Sequence, residues 1–154
     1  MPVPHALGAS VSNASLDAAL HQVPFLATLG VSVEQARPGR VVLRLPYQHS
    51  STTSDGSLHN AVIFGVAELA ALVVVATHPE LHAYRVELLT SSVVYQARAH
   101  RDVTAHAELL PEQRAALLEE LHHLGRGQTE MRVSVMDGHA VDVAEVAVWL
   151  RLTP

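Results

Sequence analysis

The chain has 154 residues, 49% of them apolar, and a formal net charge of −5. That length suits one domain with a substantial core, expected over 1–154, and the composition excludes a disordered polymer. The acidic balance argues against a nucleic-acid partner, which would need a basic stripe, and the lack of cysteine excludes a disulfide framework or a thiolate zinc site.

The opening MPVPHALGAS has no charged start and no long apolar run. No secretory leader is expected there, and with no cysteine a cytoplasmic location is expected. An N-terminal helical segment is expected over about 12–29. Leu16, Leu20 and Val23 recur at helical spacing behind Ser12, Asn13 and Ser15 as possible caps, and Pro24 breaks the run before a short turn ending at Gly30. VSVEQ and RVVLRL are short alternating runs joined through Pro38-Gly39, which predicts a hairpin. PYQHSSTTSDGS is polar and small, hence a loop.

The most apolar stretch follows: GSLHNAVIFGVAELAALVVVA, residues 56 to 76, with one carboxylate, Glu68, near its middle. Its apolar part is shorter than the roughly 20 residues of a membrane span and carries a charge where membrane burial costs most. A helix over about 58–77, buried in protein and closed by HPE, is expected instead. Residues 85–97 and 102–110 read as strands. PEQRAALLEELHHLG predicts a helix over about 111–124, with Pro111 in its first turn, Leu117, Leu118, Leu121 and Leu124 as an apolar stripe, and Gly125 as its stop. Last, EMRVSVM and AVDVAEVAVWLRL flank Asp137-Gly138, a tight-turn dipeptide. The apolar phase moves from Val141 and Val143 to Val146, Val148, Leu150 and Leu152, which predicts a bulge near Ala144 or Glu145. A helix apolar all round has to be enclosed, and a curved antiparallel sheet would enclose it, giving an α+β domain.

This order resembles the hotdog fold, in which a sheet wraps one central helix. GSLHNAVIFGVAELA is similar to the start of that helix in PaaI-like acyl-CoA thioesterases. Those proteins have His-Gly-Gly there and an Asp or Glu nine residues after the His, the spacing of His59 and Glu68. A related set of uncharacterised hotdog proteins shares the Ala-Glu-Leu-Ala run. The resemblance spans roughly 12–152. Asn60 and Ala61 replace the two glycines, Thr53 or a neighbour stands where a loop Asn is expected, and Leu72 stands where some relatives have a hydroxyl.

The resemblance implies hydrolysis of acyl-CoA to free acid and CoA, without cofactor or metal. Glu68 would be general base or nucleophile and the Asn60 N–H the oxyanion donor. Thr53 or Ser54 would contact water or substrate, with His59 beside them and Arg98 and Arg101 bordering the CoA path. It also implies a homodimer or homotetramer with a shared active site. The chemistry agrees. A thioester carbonyl needs donors aimed at the developing oxyanion, and a helix N-terminus has free N–H groups and a positive dipole end. Asn60 and Glu68 would lie about 12 Å apart along a straight helix, too far to serve one carbonyl, so the site would combine two subunits.

Plainer roles stand beside these. Glu68 would be structural if paired with Arg85 or Arg98, His59 would be only a helix cap, and Arg98 and Arg101 would be solvated turn residues. Of the 11 histidines, His78, His82, His122 and His123 read as surface residues with no metal motif. Six aromatic residues leave little for a stacking pocket and tilt the acyl group to aliphatic. A non-catalytic acyl-CoA or acyl-carrier binding protein on the same fold is the alternative in another class. A hotdog dehydratase is a third, for which His59 lacks the surrounding pattern.

Overall fold

The computed structural model describes residues 12–154. Residues 1–11, where no leader is expected, lie outside the described residues. The elements run α1 (Asn13–His21), α2 (Pro24–Leu29), β1 (Ser32–Arg37), β2 (Arg40–Leu45), α3 (Asn60–Ala76), β3 (Arg85–Tyr95), β4 (Val103–Glu108), α4 (Pro111–Leu124), β5 (Gly127–Asp137) and β6 (Asp142–Thr153). Single 3-10 turns occupy His49–Ser51 and Pro79–Leu81.

Each start and stop has a local cause. Ser12 caps α1 in a reciprocal pair with Ser15, and α2 begins on Pro24 and ends on Gly30. The six strands form one antiparallel sheet in the order β1-β2-β4-β5-β6-β3. The sheet curves around α3, which packs mainly on β2, β4 and β5. This is the α+β hotdog arrangement. Ten of the 17 residues of α3 are buried, and each buried Val or Leu contributes about 1.5–3 kcal/mol.

Two bulges decide which side chains face α3. In the last hairpin Val135 pairs with Ala144 but Met136 pairs with Asp142, so Val143 is the extra residue. The bulge lies one residue before the expected Ala144 or Glu145, and Val143 and Ala144 are both buried. In β3 the register shifts between Leu88 and Thr90. Val86 and Leu88 sit opposite the buried Leu152 and Leu150, whereas after the shift Ser91, Val93 and Tyr95 sit opposite the buried Val148, Val146 and Ala144. Directly paired residues share a face, so the shift at Leu89 turns Ser91 toward α3.

The two sheet edges are treated differently. At β1, Asp17 Oδ1 accepts from Val33 N–H (2.7 Å) and Asn13 bridges Ala36 N–H and the Glu34 carbonyl, so α1 covers that edge. No described residue covers the free edge of β3. That 11-residue strand exposes Leu88, Leu89 and Val94, the last to 63%. A long apolar edge of this kind is a template for pairing with another strand.

On α4, Leu117 and Leu121 are buried and Leu118 packs on the core, but Leu124 is 68% exposed and falls outside the expected stripe. α4 approaches β5 closely because position 127 has no side chain. A Cβ on Gly127 would meet Leu117 Cδ1 at 2.7 Å and the Leu117 carbonyl oxygen at 3.1 Å. Gly127→Ala is expected to cost about 1–3 kcal/mol through this overpacking, read as a lower denaturant midpoint. An unchanged midpoint would mean that α4 backs away at no cost.

Candidate active site

The loop before α3 is held by a small polar network. Asp55 Oδ1 accepts from Ser57 N–H (2.9 Å), from the Ser57 hydroxyl (2.6 Å) and from the Thr53 hydroxyl. Its other oxygen forms an ion pair with Arg98. Tyr47 donates its hydroxyl to the Gly56 carbonyl (2.6 Å), and Leu58 and His59 N–H donate to the Ala99 and Ser51 carbonyls. These bonds hold the chain as it turns into α3 at Asn60.

The first turn of α3 distributes its donors unevenly. His59 is the N-cap, and its Nδ1 accepts from Ala61 N–H at 3.0 Å. Nδ1 therefore carries a lone pair and the ring proton sits on Nε2. Val62 and Ile63 N–H both donate to the His59 carbonyl. The Asn60 N–H has no partner among the described residues and lies at the exposed end of the helix. It combines an unused donor with the positive end of the helix dipole.

A cleft of about 660 Å³ opens at this point, lined by Thr53, Ser54, Asp55, His59, Asn60, Tyr95 and Arg98 among others. It gathers five of the residues singled out in the sequence: Thr53, Ser54, His59, Asn60 and Arg98. Two details limit their freedom. The Thr53 hydroxyl is engaged by Asp55 and Ser57, and the Arg98 charge is offset by Asp55. Tyr95 joins from the end of β3, donating its hydroxyl to the Asn60 carbonyl at 3.3 Å. Burial pushes the Tyr95 phenol above its ordinary range, so it remains a donor at neutral pH.

Two of the sequence's candidates lie elsewhere. Arg101 contacts His139 and Asp137 in the β5–β6 turn and does not line the cleft. Glu68 is two turns along α3, about 12 Å from Asn60 by helical rise, and is not a lining residue either. It belongs to the only incompletely buried stripe of the helix, with Ala61, Phe64, Gly65 and Leu72, beside the open β3 edge. Neither Arg85 nor Arg98 pairs with it; the Ser91 hydroxyl donates to Glu68 Oε1 at 2.9 Å. Ser91 escaped sequence reasoning because simple alternation through 85–95 would turn it outward. A bulge in β3 was the missing signal.

Among the described residues no group of three or more His, Asp or Glu side chains is placed to hold a metal ion. No described helix is long and apolar enough to cross a membrane. His78, expected at the surface, is instead buried at the far end of α3, while His122 and His123 are exposed and meet edge-on.

The model of the DUF4442 family, a domain of unknown function, matches residues 12–152. No curated protein matches the sequence. Among solved structures the chain is similar to a protein of unknown function from Pseudomonas aeruginosa described as a probable thioesterase. The TM-score is 0.85 at 21% identity, over 93% of this chain and 96% of that one. It is also similar to a thioesterase from Haemophilus influenzae, with a TM-score of 0.73 at 14% identity over 94% and 92% of the two chains. A Chlorobaculum tepidum protein of unknown function gives 0.80 at 13% identity over 94% and 98%. Likeness at these identities carries the fold.

Proposed function

We propose that this chain, which belongs to the DUF4442 family, hydrolyses acyl-CoA thioesters to free acid and CoA at a site shared between two subunits. The observation that carries this reading is the position of Glu68. It is the one carboxylate on the one stripe of α3 left uncovered, held by Ser91 next to an open strand edge. Pairing of two β3 edges would set the α3 stripes of two copies together. The Asn60 N–H of one copy and Glu68 of the other would then bracket one carbonyl.

In this mechanism the thioester carbonyl oxygen takes the Asn60 N–H, which strengthens as negative charge develops. Glu68 accepts a proton from water as the water oxygen bonds to the carbonyl carbon. The tetrahedral intermediate collapses, the C–S bond breaks and the CoA sulfur leaves with the proton that Glu68 had taken, which restores the carboxylate. Direct attack by Glu68, followed by hydrolysis of the resulting anhydride, uses the same geometry. Ser91 fixes one carboxylate oxygen and leaves the other for the reaction. The names carried by the Pseudomonas and Haemophilus structures support the same class of reaction.

The test is a panel of straight-chain and aromatic acyl-CoAs with free thiol as the readout. Release of thiol from aliphatic substrates supports the reading; binding without release supports a non-catalytic acyl-CoA or acyl-carrier binding protein. Leu72 and the engaged Thr53 hydroxyl favour that second reading, because neither orients a water.

The shared site also predicts an assembly. Leu89→Lys with Val94→Lys places like charges on the β3 edge at exposed positions. The double variant is expected to shift toward monomers in sedimentation, with hydrolysis falling in proportion to the remaining dimer. Full activity in a monomeric variant would contradict the shared site.

A further inference from the structure

Gly65, in the interior of α3, has no explanation inside its own chain. Glycine loses more backbone freedom than any other residue on entering a helix, so an interior glycine weakens the helix unless something needs its bare backbone. The usual reasons do not apply. Positive φ is found at Gly30, Gly39, Gly56 and Gly125, and Gly65 is helical. A Cβ built on Gly65 meets nothing within 4 Å among the described residues. Gly127 is the contrast, because there Leu117 fills the space a side chain would take. Whatever needs the bare backbone at Gly65 lies outside the chain.

Its place on the helix narrows the choice. Ala61, Gly65, Glu68 and Leu72 follow at intervals of four, three and four residues, which sets them on one face, the face left incompletely buried. β3 runs along that face: the Ser91 hydroxyl reaches Glu68 and the Tyr95 hydroxyl reaches the Asn60 carbonyl. The Phe64 side chain packs on its own core. The stripe therefore presents backbone, not a side chain, at position 65, next to a strand edge that no described residue covers.

The shared site fixes the geometry of a pair, and this inference rests on that reading. In a two-fold dimer every contact occurs twice, so Asn60 facing the partner's Glu68 means Glu68 facing the partner's Asn60. Only antiparallel α3 helices satisfy both. Residue 64 is midway between 60 and 68, so the two-fold axis passes beside it, and Gly65 is displaced from the axis by about 1.5 Å along the helix. Helix axes approach to about 8 Å where the facing side chains are small and stay near 10 Å where they are large.

We propose that α3 of a second copy packs against the bare backbone at Gly65, and that this glycine is a positioning residue. It sets the helix spacing at which the Asn60 N–H of one subunit and Glu68 of the other reach one thioester carbonyl. The occupant is a second copy because the open β3 edge borders this stripe and the axis of the pair passes beside Gly65.

The contact is tested by cross-linking. The chain has no cysteine, so Gly65→Cys introduces a single thiol. With helix axes about 8 Å apart, the two substituted positions stand roughly 5 Å apart between Cα atoms, inside the range of about 4.4–6.8 Å that a disulfide spans. Mild oxidation is expected to convert most of Gly65→Cys to a covalent dimer on a non-reducing gel. Ala61→Cys is the control. It is on the same stripe and exposed, but its two copies lie about 9 Å apart along the helix direction and should not cross-link.

The spacing is tested by size at the same position. Gly65→Ala and Gly65→Leu enter open space and suit a helix, so the fold is expected to survive, followed by circular dichroism. The kcat for thiol release is expected to fall roughly tenfold with Ala and 100-fold or more with Leu, with KM changed less than about threefold, because a misplacement of about 1 Å costs on that order. If the unaltered protein releases no thiol, the thioesterase reading fails, while the cross-link still supports or overturns the helix contact. No covalent dimer from Gly65→Cys, or as much from Ala61→Cys, overturns the proposal. An unchanged kcat in Gly65→Leu beside an active unaltered protein overturns the positioning role. A changed preference for acyl length without cross-linking overturns the contact and assigns Gly65 to the substrate path.

Discussion

Glu68→Gln is expected to lower thioester turnover by roughly 100-fold or more, the factor a positioned base contributes. The substitution keeps the side-chain shape and lets Ser91 remain hydrogen-bonded, so substrate binding should change far less than turnover. Both are read from one experiment: initial rates of thiol release across substrate concentration, which separate kcat from KM. Folding has to be followed in parallel. The Asp102 carboxylate is held below its ordinary range by the Tyr47 N–H and by Arg44, so the stability it contributes is lost as pH falls through that lowered value. Near-normal turnover in a folded Glu68→Gln would remove this residue from the mechanism and turn attention to His59, tested as His59→Asn.

Asn60→Pro should be as damaging as Glu68→Gln, yet the two inactive proteins should restore each other. Proline deletes the Asn60 N–H while suiting the first position of a helix. The preceding residue has to be extended, and His59 already is, with φ −66° and ψ 137°. In a mixed dimer one site combines the intact Glu68 of one subunit with the intact Asn60 N–H of the other, while the second site lacks both. Random exchange of equal amounts should therefore recover about a quarter of the unaltered activity, measured by thiol release after mixing. Exchange demonstrated by labelled subunits with no recovery would contradict a site built from two chains.

Much of the architecture was legible because it depends on local chemistry. Pro24, Gly30, Pro111 and Gly125 punctuate helices through backbone restrictions that act wherever these residues stand. The apolar length of 61–76 required an enclosing sheet whatever its neighbours were. The Glu68 to His59 spacing, on one helix, needed no knowledge of distant contacts. The loop candidates Thr53 and Ser54 and Arg98, in the loop after β3, gather around Asn60 because the hydrogen bond from Leu58 N–H to the Ala99 carbonyl draws their segments together.

What the sequence by itself determined is therefore the order of elements, the enclosed α3 with its single carboxylate, and the unpaired N–H at the helix start. Only the tertiary structure decided the rest. The bulge at Leu89 turned Ser91 onto Glu68, and the structural alternative of an arginine partner, Arg85 or Arg98, is not realised. The β5–β6 turn took Arg101 away from the cleft. The packing of α4 and the β1–β2 turn buried His78. Periodicity records a residue's preference for water or core, but a bulge reverses faces without changing composition. A long-range pair exists only once strand register has brought its two members together.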